Sequence, residues 1–139
     1  MTLVEPDAPA TPPEVRESPL VGALGLAVAV VATLVTALAE LYLTPLRLGG
    51  VPVGVSVVFA GVANWALAWF AVRTAGRRWA AGVPWGLWTV IMLFAAGAKT
   101  REGDYLLSGN DWIALVMILV GSLTFAAFAY RLIMRRPTL

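Results

Sequence analysis

Glu40 is the one ionisable residue inside a long apolar run of this chain, near the C-terminal end of "PLVGALGLAVAVVATLVTALAELYLT" (19–44). A carboxylate in such a run is a candidate for binding a proton or a cation, because charge in hydrocarbon is costly and is kept where it is used or paired. Thr36 lies one helical turn before it. Asn64 sits midway along a second apolar run, "VGVSVVFAGVANWALAWFAV" (53–72), where an amide must find a hydrogen-bond partner on another helix. The other chemistry-bearing side chains crowd into "AKTREGDYLLSGNDW" (98–112), which holds Lys99, Arg101, Glu102, Asp104 and Asp111 around Tyr105 and two leucines.

Each of these groups has a structural reading beside the functional one. Counted from Pro19, Glu40 is about six turns along a helix and one turn before Pro45, a position near the outer headgroups. There it would pair with Arg47, Lys99 or Arg101 and tie the first span to the outer loops; the alternative is a proton or cation site. For Asn64 the choice is between an interhelical hydrogen bond and a path-lining role. The loop at 98–112 lacks the nucleophile and base of a hydrolase and the alternating oxygen ligands of a calcium loop. It reads as an exposed, locally neutralised turn, with Lys99, Arg101, Asp104, Tyr105 and Asp111 as a contact surface for an outer partner.

The elements that must position these residues follow from composition. The chain has 139 residues, of which 60% are hydrophobic and 13% charged. Its mean hydropathy of +0.82 is that of an integral membrane protein. The absence of Cys and His excludes structural zinc, His- or Cys-ligated haem, iron–sulfur clusters, Cys nucleophiles and His bases. No catalytic, cofactor or metal set is expected. The expected fold is an all-α bundle of four transmembrane helices, at about 19–44, 53–72, 79–98 and 112–130. Residues 1–18 form an acidic, Pro-rich tail expected to be disordered; the membrane domain covers 19–136, and 137–139 end the chain.

Helix boundaries are marked by Ser18–Pro19 as cap and first residue, by Pro45 as a stop, and by "LRLGG" as a short turn after which Pro52 reopens a helix. Pro84 either begins or kinks the third span, and Asp111 is placed to cap the fourth. One side of this arrangement carries Arg16, Arg73, Arg77, Arg78, Arg131, Arg135 and Arg136, the other Arg47, Lys99 and Arg101. Seven against three predicts that both termini are cytoplasmic and that 99–111 faces outward. "ALA" at 37–39 resembles a signal-peptidase site, but the acidic n-region and the long apolar run predict that it is not cleaved.

Small residues line the spans. Gly25, Ala29, Thr33 and Ala37 form one row beside Ala32, Thr36 and Glu40, while Ser56, Ala60, Asn64 and Ala68 form another. Gly82 and Gly86 make a GxxxG, and Gly121–Ser122 a small patch, all expected to pack helices within the chain. Trp65, Trp85 and Trp88 are expected to be lipid- or core-facing bulk. The two arginine clusters could hold anionic lipid or the acidic tail; topology alone already accounts for them.

The order of acid, Thr and short turn in "LAELYLTPLRLGG", with four spans in a short chain, resembles the small multidrug resistance transporters. In that family a first-helix glutamate binds proton and cationic drug alternately, which implies such a role for Glu40, although the family's glutamate lies at mid-helix. In layout, residues 19–136 resemble small four-span actinobacterial membrane proteins without an established activity, through Gly103–Asp104, Gly121 and the Arg131–Arg136 tail. The function expected from the sequence is that of a non-enzymatic accessory or scaffold protein of the plasma membrane, in contact with lipid, a membrane-protein partner or its own copies, and not with nucleic acid. The alternative is a small homodimeric proton-coupled transporter using Glu40.

Overall fold

A computed structural model describes residues 18–99, 101, 103, 107 and 112–134. The elements are α1 (Pro19–Leu43), a ribbon of β1 (Arg47–Leu48) and β2 (Val51–Pro52), α2 (Val55–Ala75), a 3₁₀ turn at Arg78–Ala81, α3 (Gly82–Gly97) and α4 (Trp112–Met134). With the 3₁₀ turn counted into the third, all four helical segments are long and apolar enough to cross a membrane. The protein is an all-α, multi-pass membrane bundle.

Ser18 stands at the N-cap of α1 with Pro19 after it, but its side chain makes no capping bond. Its carbonyl accepts from Val21 N–H at 2.9 Å instead. At the other end Thr44 N–H closes on the Glu40 carbonyl at 3.0 Å before Pro45 stops the ladder. The expected short turn is a two-stranded ribbon. Gly49 and Gly50 adopt φ of +60° and +82°, the left-handed pair that a two-residue hairpin loop requires, and Leu48 pairs with Val51 and Arg47 with Pro52. Pro52 therefore belongs to a strand, where its missing N–H is tolerated on an edge, and α2 starts three residues later. Pro84 lies in the first turn of α3, where no amide partner is lost, and the helix starts there without a break.

The bundle is held by small residues. At the end where α1 begins, a Cβ on Gly25 would collide with the Thr74 side chain, so the α1 and α2 backbones approach closely there. Further along, Ala29 packs with Ala71 and with Ala80 of the 3₁₀ turn, all fully buried. Ala37, Ala60 and Ala68 then meet Trp88, Met92, Met117, Phe125 and Phe128 in the main core. Large aliphatics point outward: Val31, Val58, Leu93 and Leu115 are all exposed. This arrangement inverts a water-soluble core and suits a lipid surround.

Threonine hydroxyls inside the spans are satisfied on their own helices. Thr33 donates to the Ala29 carbonyl at 2.7 Å, Thr74 to Phe70 at 2.9 Å and Thr124 to Val120 at 2.8 Å. Thr36 does the same, donating to Ala32 at 2.9 Å, and stays half-buried. No water is needed for them in the bilayer.

Replacing Gly25 with Leu is expected to force α1 away from Thr74, costing about 1–3 kcal/mol as an overpacked site does. Val31→Leu, on the lipid face, is expected to be neutral. Thermal melting of both variants in the same detergent checks the contrast.

Candidate functional site

Four buried polar side chains with unusual hydrogen bonding define the interior: Glu40, Thr44, Ser56 and Asn64. Glu40 is fully buried, and its Oε2 accepts from the Trp88 indole Nε1–H at 2.7 Å. Its Oε1 has no partner among the described residues; neither do Ser56 Oγ or the Asn64 Oδ1 and Nδ2 atoms. Thr44 Oγ1 donates to the Glu40 backbone carbonyl at 2.7 Å and lies 3.3 Å from Met117 Sδ. The acidic side chain is thus held by α3 through Trp88, while Thr44, the C-cap of α1, bonds only the Glu40 backbone.

The sequence places Glu40 at the outer interface beside Arg47, Lys99 or Arg101. The structure puts it in the core instead, for two reasons. It continues the packed face of α1, where Ala29, Thr33, Ala37 and Glu40 are the buried residues. Side chains on a helix also lean toward its N-terminus, so the carboxyl lies deeper than its Cα. Trp88 meets it from the middle of α3, on a face shared with Pro84, Met92 and Ala95. Trp88 carries a role that apolar bulk does not describe. The readable signal was the indole N–H, which needs an acceptor in lipid, together with a single carboxylate in the spans.

Trp88 is held in turn by α4. Its ring packs against Phe125 with centroids 6.0 Å apart. A Cβ on Gly121 would stand 2.5 Å from Trp88 Cζ2 and 2.9 Å from Asn64 Nδ2. Gly121 is therefore the recess that admits both side chains, and with them α2 and α3 reach one point on α4. Asn64 and Gly121 each lie near the middle of their helices, so this cluster is at mid-depth.

Ala60 is fully buried in the same core. Gly82 and Gly86 are not at a close helix approach within the chain: a Cβ on either would meet nothing within 4 Å. Gly82 lines a groove between α3 and α4, two helices that touch along little of their length. Lys99 and Arg101 are exposed. Asp104, Tyr105 and Asp111 lie outside the described residues. Trp65 packs edge-on against Phe128, and Trp85 is half-exposed.

This chemistry is that of binding and exchange. A carboxyl with one oxygen held and one open, an amide with both atoms open and a hydroxyl can accept or give hydrogen bonds to a ligand. Among the described residues no three His, Cys, Asp or Glu side chains gather. A cleft of about 640 Å³, lined by Tyr42, Thr44, Arg47 and Leu107 among others, opens at the ribbon end of the bundle. Thr44, only 3% exposed, is among its lining residues and bonds the Glu40 backbone carbonyl.

Trp88→Phe removes the indole donor and is expected to destabilise the protein by about 1–3 kcal/mol, the cost of stranding a buried acceptor. In a Glu40→Leu background the same change is expected to cost far less, and a double-mutant cycle by thermal melting measures the coupling. No protein-family model, curated protein or solved structure matches the chain, so the roles of Glu40, Trp88 and Asn64 rest on this geometry.

Proposed function

We propose that this chain is a small membrane transporter in which Glu40 binds and releases a proton or a small cation, with Asn64 and Ser56 along the ligand's path. The observation that carries the reading is the fully buried Glu40 carboxyl, held on one oxygen by Trp88 and without a partner on the other. Buried polar atoms without partners are rare and mark places completed by something from outside, and an ionisable group within the membrane is a site by default. The cleft at the ribbon end, lined in part by Leu41 and Thr44, lies beside the last turn of the helix that carries Glu40. The layout likeness to transporters that use a first-helix glutamate points the same way.

Plasma-membrane residence with both termini cytoplasmic is part of this proposal. It is supported by the clustering of Arg73, Arg77, Arg78 and Arg131 toward the end where α1 begins, against Arg47, Lys99 and Arg101 toward the ribbon end. An accessory role beside a larger membrane protein is the second reading. Gly82 and Gly86, which present an open small-residue face, favour it as much as they favour a homodimer.

Glu40→Gln separates fold from exchange, because the amide oxygen still accepts from Trp88. In proteoliposomes carrying a pH gradient, the wild-type chain is expected to dissipate the gradient when a cationic substrate is added. The variant is expected to melt normally and to leave the gradient intact; equal dissipation by both sinks the Glu40 mechanism. Because the chain has no cysteine, Gly86→Cys gives a single reactive position. Membrane cross-linking at that site is expected to give a homodimer, whereas an adduct to one larger protein selects the accessory reading.

A further inference from the structure

At the end of the bundle where α1 begins, α2 and α4 enclose a cleft of about 390 Å³ whose lining includes Trp65, Trp69, Arg73, Phe128 and Arg131. Its two arginines come from different helices. Arg131 lies over the Trp65 ring, 5.5 Å from the centroid, and Trp65 stands edge-on to Phe128 with centroids 5.1 Å apart. The guanidinium is thereby braced on an aromatic surface, which lowers the entropy lost on binding an anion.

Neither Arg73 nor Arg131 faces a carboxylate among the described residues. The only one there belongs to Glu40, bonded to Trp88 in the core. Trp69, 54% exposed, completes the cleft with an indole of the kind that sits at headgroup level. Two cations and an aromatic wall, set where lipid-facing helix surfaces meet the interface, match a phosphate joined to acyl chains. A second copy seated here across a two-fold axis would bring Arg73 and Arg131 against their own counterparts, an uncompensated repulsion.

We propose that this cleft binds the headgroup of an anionic phospholipid, with phosphate oxygens on the Arg73 and Arg131 guanidinium groups and acyl chains along the outward faces of α2 and α4. Guanidinium forks suit phosphate oxygens better than a point charge does. The site is separate from the Glu40 core, and its occupancy does not depend on transport.

The test is retention of lipid by the full chain in mild detergent, read by native mass spectrometry after adding phosphatidylglycerol and phosphatidylcholine in equal amounts. Preferential retention of phosphatidylglycerol is expected. Arg73→Gln and Arg131→Gln are each expected to lower it about fivefold. Arg77→Gln, an equal loss of charge at the same end but outside this cleft, is expected to leave it unchanged. All these arginines are exposed, so the variants are expected to melt with the parent. Equal retention of the two lipids, or an equal loss in the Arg77 variant, overturns the proposal. Displacement of the lipid by inorganic phosphate would reveal a free-anion site and overturn it too. So would lipid binding that appears only when Glu14 and Glu17 are changed to Gln, since the chain's own acidic segment would then be the occupant.

Discussion

The hydrogen bond from Trp88 to Glu40 organises the interior of this protein. Lipid offers no substitute donor, so a carboxyl group placed in the core must be met by the protein itself, and here an indole from a helix distant in sequence does so. The ring that carries the donor fits only because α4 offers no side chain at Gly121. The same recess takes the Asn64 amide. Three further helices are therefore brought to their positions around one acidic side chain of α1, and a bundle with few large interior residues acquires a defined centre.

Around that centre the packing obeys a different rule from that of a soluble domain. Alanine, glycine and threonine fill the α1–α2 contact, while valine and leucine face outward, because burying large aliphatics gains little when the solvent is itself hydrocarbon. Threonines return their hydroxyls to their own helices, and so the polar atoms that remain unpaired stand out. Among the described residues, the buried ones belong to Glu40, Ser56 and Asn64 on α1 and α2. Small residues thus close the helices together, while a few buried polar atoms are left without partners.

Much of the fold was legible in the residues. The four apolar runs, Pro19 as the start of α1, Pro45 as its stop and the row from Ala29 to Ala37 all reflect local rules of periodicity and proline chemistry. The depth of Glu40 was not legible by counting turns, since depth depends on which face is packed and on where a partner lies across the bundle. Trp88 was hidden for the same reason: its role exists only beside α1. The ribbon at Arg47–Pro52 was hidden by brevity, although adjacent glycines between short apolar residues are a hairpin signal. Gly82 and Gly86 show the converse limit, because a spacing that permits close approach does not say what approaches.

The ribbon has a mechanical meaning. Arg47–Pro52 joins α1 and α2 through paired strands and not through a slack connection, and the close contact at Gly25 and Thr74 clamps the same two helices at their far end. Fastened at both extremities, α1 and α2 form one paired blade. Among the described residues α3 and α4 touch along little of their length, and Trp88 bridges from α3 to Glu40 on the blade. α4, by contrast, packs along α2 on the blade, so the indole of Trp88 is one of the ties by which α3, the shortest of the four helices, is joined to the rest of the bundle.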